Sequence, residues 1–153
     1  MLPLHIMVSE RNAVHVAKKA GSTLPTKREL RKDSMNKWQS EWVQNTGTGG
    51  WTRRLIPDVR PWVSRSFGTI NYHITQFLTG HGCFEHAFFE CDRWWRLRRE
   101  LEVKTGKEFT PETAVKTMLE SREKWDAVCC YVVNVLKIRE EEERQRQRVP
   151  ANN

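Results

Sequence analysis

No apolar run in the chain approaches the roughly 18 residues that a membrane-spanning helix requires. The mean hydropathy is low, −0.71, which points to a modest core beneath a charged surface. The opening Met1-Leu2-Pro3-Leu4-His5-Ile6-Met7-Val8 reaches Glu10-Arg11 too soon to serve as a signal peptide. Cysteine is scarce: Cys83, Cys91, Cys129 and Cys130 are all there is in 153 residues. The last two are adjacent, which suits a helix interior better than a disulfide framework, so all four are expected reduced in an intracellular protein. No stretch alternates with period two for long enough to demand a sheet. The expected class is therefore all-α, an irregular bundle of about five to six helices with a Gly-rich loop and a charged C-terminal helical tail.

What the chain does hold is tryptophan and positive charge. Seven Trp and six Phe carry more aromatic surface than a solvated polymer would, and the length suits one domain better than two. The formal net charge is +7. Residues 1–60 hold eleven basic and five acidic side chains, residues 61–110 seven and six, and residues 111–153 eight of each. Nearly all the excess precedes residue 61, the usual electrostatic footprint of a nucleic-acid surface or of an acidic partner. The sequence divides into a basic helical pair at 1–46, a Trp/Pro/Gly-rich connector with a short helix at 47–84, a helical region at 85–148, and a disordered tail at 149–153.

Local signals place the helices. Leu4, Met7/Val8, Val14 and Ala17 share a face and Gly21 follows them, so a first helix ends near Ala20. Thr26-Lys27-Arg28-Glu29 has the form of a capping box and opens a second helix to about Gln44, with Leu30, Trp38 and Trp42 on one stripe. Gly47, Gly49 and Gly50 break it. This loop lacks the Lys-Ser/Thr that a phosphate-binding loop needs after its last glycine, since Trp51-Thr52 stands there. Pro57 and Pro61 confine the next segment to a short helix or turn. Asn71 caps a helix closed by Gly80, and residues 85–104 read as helical with a break at Asp92, their apolar face made of Trp94/Trp95, Leu97 and Leu101. Thr110-Pro111-Glu112 is a helix start. Trp125, Val128/Cys129, Val132 and Val135/Leu136 form the clearest amphipathic pattern, and Glu140 to Arg148 a charge-alternating tail.

Two strings are more specific. Trp51-Thr52-x-Arg54-Leu55-Ile56-Pro57-Asp58-Val59-x-x-Trp62-Val63 and Tyr72-His73-Ile74-Thr75-Gln76-Phe77-Leu78-Thr79-Gly80-His81-Gly82-Cys83-Phe84 resemble the region that follows the reverse transcriptase domain in insect non-LTR retrotransposon polyproteins. Trp38-Gln39-Ser40-Glu41-Trp42 and Met118-Leu119-Glu120-Ser121-x-x-x-Trp125 fall where that family has similar strings, so the resemblance covers essentially the whole chain. It implies a parent with endonuclease and polymerase domains and a C-terminal tail holding a zinc knuckle. This chain corresponds to the tail alone, and having no Asp-Asp pair it offers no ligands for two-metal nucleotidyl transfer. The expectation is a non-catalytic, nuclear fragment that binds RNA or DNA without sequence preference, beside the parent's reverse transcriptase domain.

The family's knuckle has a Cys-x-x-Cys pair, then a His, then a Cys after four intervening residues. Glu85-His86-Ala87-Phe88-Phe89-Glu90-Cys91 matches the second half, but Phe84 runs directly into Glu85 and the first half is missing. Cys83, His86 and Cys91 are the remaining zinc candidates. On a continuous helix His86 and Cys91 would stand about 140° apart, so the expectation is two partly buried helix residues and no cofactor. For nucleic acid, the candidates are Lys27, Arg28, Arg31, Lys32, Arg53 and Arg54 on phosphates, with Trp51, beside the glycines, stacking on bases. Trp38, Trp42, Trp62 and Trp125 are expected in the core. An acid/base site among His73, His81, Glu85 and His86 has no assignable nucleophile.

Overall fold

The computed structural model describes residues 2–80 and 84–148. Among them there is no strand, and the chain is all-α. The described residues form nine α-helices: α1 Leu4–Lys19, α2 Lys27–Gln44, α3 Gly50–Leu55, α4 Val59–Ser64, α5 Tyr72–Thr79, α6 Phe84–Phe89, α7 Trp95–Thr105, α8 Pro111–Glu120 and α9 Arg122–Arg148. A 3-10 turn, Asp92–Trp94, precedes α7. Six of these helices have eight residues or more. The other three, α3, α4 and α6, have six residues each, too few for two full turns and so too few to show a helical period.

The residues pack as two compact units: Met1–Thr48 with Pro57–Ser64, and Gly49–Ile56 with Arg65–Asn153. The 47–84 connector of the sequence reading is thus shared between them.

In the first unit, α1 and α2 form an antiparallel hairpin whose register is written in its polar ties. The His5 ring lies 2.7 Å from the Glu41 carboxylate, the Lys37 ammonium donates to Ser9 at 3.2 Å, and the Ser34 hydroxyl donates to Glu10 at 2.9 Å. As one number rises the other falls, as antiparallel helices demand. The Thr26 capping box closes in both directions: Glu29 N–H donates to Thr26 Oγ1 at 3.2 Å, and Thr26 N–H to Glu29 Oε2 at 2.8 Å. Those donated bonds hold the Glu29 carboxyl below its ordinary pKa. The helix α4 packs on α2. Its Pro61 is the third residue, where a missing N–H costs no intrahelical bond. The buried side chains among the described residues here are few: Leu2, Ile6, Ser34 and Val59. Trp38, Trp42 and Trp62 are half-buried.

The second unit holds most of the buried apolar surface. The α9 face expected from the sequence is inside: Trp125, Val128, Val132, Val135 and Leu136 are all buried, with Cys129 partly so. Against it pack α5, α7 and α8. An aromatic chain runs through the middle, Phe77 edge-on to Phe88 at 5.1 Å, Phe109 edge-on to Tyr131 at 5.2 Å, and Phe89 stacked on Phe109 at 4.9 Å. The Tyr131 hydroxyl donates to Phe88 O at 2.6 Å, which satisfies its one buried polar atom, and burial pushes its pKa up to about 12. Trp125 is the largest fully buried side chain. Phe67 meets its ring edge-on at 6.3 Å and the Arg65 guanidinium lies 5.1 Å from its centroid, where burial holds the Arg65 pKa below its usual value. Gly68 closes this pocket at φ +89°, and a Cβ there would stand 2.4 Å from the indole.

The starts and stops read from the sequence are present. Asn71 accepts from Ile74 N–H at 2.9 Å and α5 ends on left-handed Gly80; Thr110 and Pro111 open α8, with Thr110 Oγ1 accepting from Thr113 N–H.

Candidate nucleic-acid interface

The seven candidate residues fall into two groups, one in each unit. Lys27, Arg28, Arg31 and Lys32 occupy the first turns of α2 and all are exposed. At about 100° per residue they span an arc of about 140°. Among the described residues none of the four is paired with a carboxylate. Their position is electrostatically adverse for the helix, because the N-terminal end of the macrodipole is itself positive and favours acids. Only Glu29 offsets it, and its carboxylate is already engaged by Thr26. The result is four cations and a positive helix end pointing at solvent.

The second group is committed elsewhere. Trp51 does not stand free beside the glycines: its indole N–H donates to Phe77 O at 2.7 Å and its ring packs 6.0 Å from that of Phe89. Next to it, the Thr52 hydroxyl donates to Leu78 O at 2.9 Å. Phe77 and Leu78 lie in the last turn of α5, whose carbonyls have no partner within the helix, so Trp51 and Thr52 cap α5 from outside. Gly80, at φ +66°, lies so close that a Cβ would be 2.5 Å from the Trp51 ring. The expectation that Trp51 offers a base-stacking face is corrected accordingly. Arg53 is half-buried. Arg54 is shared between two acids, donating to Glu112 at 2.6 Å and also to Glu85. These bonds raise the Arg54 pKa and lower that of Glu112. One cation between two carboxylates leaves that spot net negative, unsuited to a phosphate.

The strings that carry the resemblance therefore form packing contacts with each other. Trp51 and Thr52 meet Phe77, Leu78 and Gly80 within one unit. In the other, Gln39 grips the Pro57-x-Val59 turn with both ends of its amide: Nε2 donates to Pro57 O and Val59 N–H donates to Oε1, each at 2.8 Å.

Of the zinc candidates, Cys83 lies outside the described residues. His86 and Cys91 are not on one helix, as the sequence suggested, because α6 stops at Phe89 and Cys91 precedes the 3-10 turn. The N–H groups of Glu90 and Cys91 both donate to His86 O, which turns the chain there. His86 is exposed rather than partly buried, its Nδ1 3.3 Å from Glu90. Both His86 and Cys91 line an open cleft of about 680 Å³. Among the described residues no three His, Cys, Asp or Glu side chains converge as metal ligands, and His86 and Cys91 alone supply two of the four ligands that a zinc knuckle needs. His73, from the acid/base list, sits 3.2 Å from Glu140, and His81 lies outside the described residues.

The apolar pattern of the sequence hides an exposed tryptophan. The sequence pattern puts Trp94/Trp95 on one apolar face, but Trp94 ends the 3-10 turn and Trp95 opens α7, and successive helical residues point about 100° apart. Trp94 is buried and Trp95 is 54% exposed.

The fold and this surface define an all-α protein with a basic helix end. Compared with known proteins, the chain matches no family model, no curated protein and no solved structure. Among the described residues no helix is long and apolar enough to cross a membrane.

Proposed function

We propose that this chain is a non-catalytic C-terminal portion of a retrotransposon reverse transcriptase polyprotein, contributing RNA or DNA binding to target-primed reverse transcription in the parent, in a nuclear setting. The observation that carries the binding role is the cluster of Lys27, Arg28, Arg31 and Lys32 on α2: exposed, unpaired with acids, and set at a helix end where positive charge destabilises the helix. Such a cluster exchanges condensed counterions for phosphate contacts and carries no base readout, so binding is sequence-tolerant. Arg54 and Trp51 have structural roles in this reading, because their polar groups are already used within the protein. The test is a filter or anisotropy titration of mixed-sequence RNA and DNA at rising salt. Affinity that falls steeply with salt supports the proposal, and a flat response removes it.

A second reading has its own observation. Phe84 runs into Glu85 with no Cys-x-x-Cys half between them, as in a degenerate remnant with no autonomous activity. That reading expects a folded protein with no measurable affinity for any nucleic acid.

A further inference from the structure

We propose that the outward face of α7 is a stacking platform for single-stranded nucleic acid, with Trp95 under a base and Arg96 and Lys104 on the flanking phosphates. The inference rests on the nucleic-acid reading above and moves the base contact to a different helix from the one the sequence suggested.

The face is built by simple periodicity. Leu101 and Thr105 turn inward and are buried, whereas Trp95, Arg99 and Val103, at intervals of four, turn outward. Trp95 is 54% and Val103 72% exposed, and with Arg96, Arg99, Glu100 and Lys104 they line a shallow groove of about 490 Å³. A tryptophan left this open loses the burial that normally holds it, and here its nearest charged neighbours are mostly cations. Arg96 and Lys104 have no partner among the described residues. The Arg99–Glu102 contact, 3.3 Å, is exposed on the arginine side, and the Glu102 carboxylate also accepts from Phe109 N–H at 3.0 Å, which draws its charge toward the protein interior. Among the described residues that line the groove, Glu100 is the one acid. From Trp95 to Val103 the axis advances about 12 Å, enough to lie along a short run of single-stranded nucleotides. An aromatic plane flanked by cations is what sequence-tolerant single-strand binding uses, since every base has a π-face and every linkage a phosphate.

The experiment measures anisotropy of a short fluorescein-labelled mixed-sequence single strand, as RNA and as DNA, with the full chain at low salt. Far-UV CD checks that each variant keeps its helices. Trp95→Ala is expected to weaken binding about ten-fold, while Trp95→Phe retains most of it. Glu100→Gln is expected to strengthen binding, and the Arg96→Gln/Lys104→Gln pair to weaken it and flatten its salt dependence. If Trp95→Ala binds like the unaltered protein while neutralising the α2 cluster abolishes binding, the platform is overturned and the proposed function stands. No binding by the unaltered protein overturns both. If Trp95→Ala instead affects only capture of poly-glutamate, the face belongs to an acidic peptide and the inference is wrong.

Discussion

Replacing Gly68 with alanine separates a conformational penalty from a packing one. At φ +89° any Cβ is strained, at a cost of about 1–2 kcal/mol. At Gly68 the Cβ would also lie 2.4 Å from the Trp125 indole, against the roughly 3.5–4.0 Å at which carbon atoms rest. The ring, 2% exposed and flanked by Phe67 and Arg65, would have to retreat by about 1 Å into packed neighbours. Overpacking of that kind costs about 1–3 kcal/mol, giving about 2–5 kcal/mol in all. Gly106, in the same unit, has φ +72° and nothing within 4 Å of its Cβ position, so Gly106→Ala carries the conformational cost alone. In urea denaturation followed by CD, an m value of about 2 kcal/mol/M sets Gly68→Ala lower than Gly106→Ala by about 0.5–1.5 M. Equal midpoints for the two variants would refute the close approach of Gly68 to Trp125.

Other consequences are open to measurement. Trp51→Phe keeps the ring but removes the donor to Phe77 O, and is expected to cost about 1–2 kcal/mol by leaving a part-buried helix-end carbonyl unpaired; unchanged stability would show that water replaces the bond. Burial pushes the Cys129 thiol up to about 11, leaving little thiolate at neutral pH, so iodoacetamide is expected to label exposed Cys130 well before Cys129, and equal labelling would contradict the burial. Glu29, Glu112, Glu120 and Glu142 all have pKa values lowered by donated hydrogen bonds. A lowered carboxylate stabilises the fold above its unfolded pKa and loses that contribution as pH falls through the folded one. Stability is therefore expected to hold from neutrality to near 4.5 and to decline below it, and a decline that begins near neutrality would point to the histidines instead. With so few buried side chains, the first unit is expected to open first, so brief trypsin treatment should cut between residues 11 and 37 before it cuts α8 or the buried part of α9 up to Leu136.

What the sequence made legible was local. Thr26 with Glu29, Asn71 with Gly80, and Thr110 with Pro111 mark helix ends because a cap needs only residues three or four apart. The α9 stripe was legible because many turns repeat it. By contrast, α3 hides behind glycines whose evident signal is a break, and six residues show no period. The role of Trp51 is not legible in the sequence, because its neighbours there, glycines and arginines, carry no trace of the Phe77 carbonyl 26 residues away. The pairing of Arg54 with Glu85 and Glu112 is similarly distant in the chain. Among the candidate cations, only the α2 group kept the freedom that charge counting assumes.

The most direct measurement for the binding role is the slope of log affinity against log salt for a mixed-sequence single strand, compared between the unaltered protein and a variant with Lys27, Arg28, Arg31 and Lys32 all changed to Gln. Each phosphate contact contributes about −0.7 to that slope. If all four residues meet phosphates, the variant's slope is shallower by about 3. An unchanged slope, or no binding by the unaltered protein, would contradict the account.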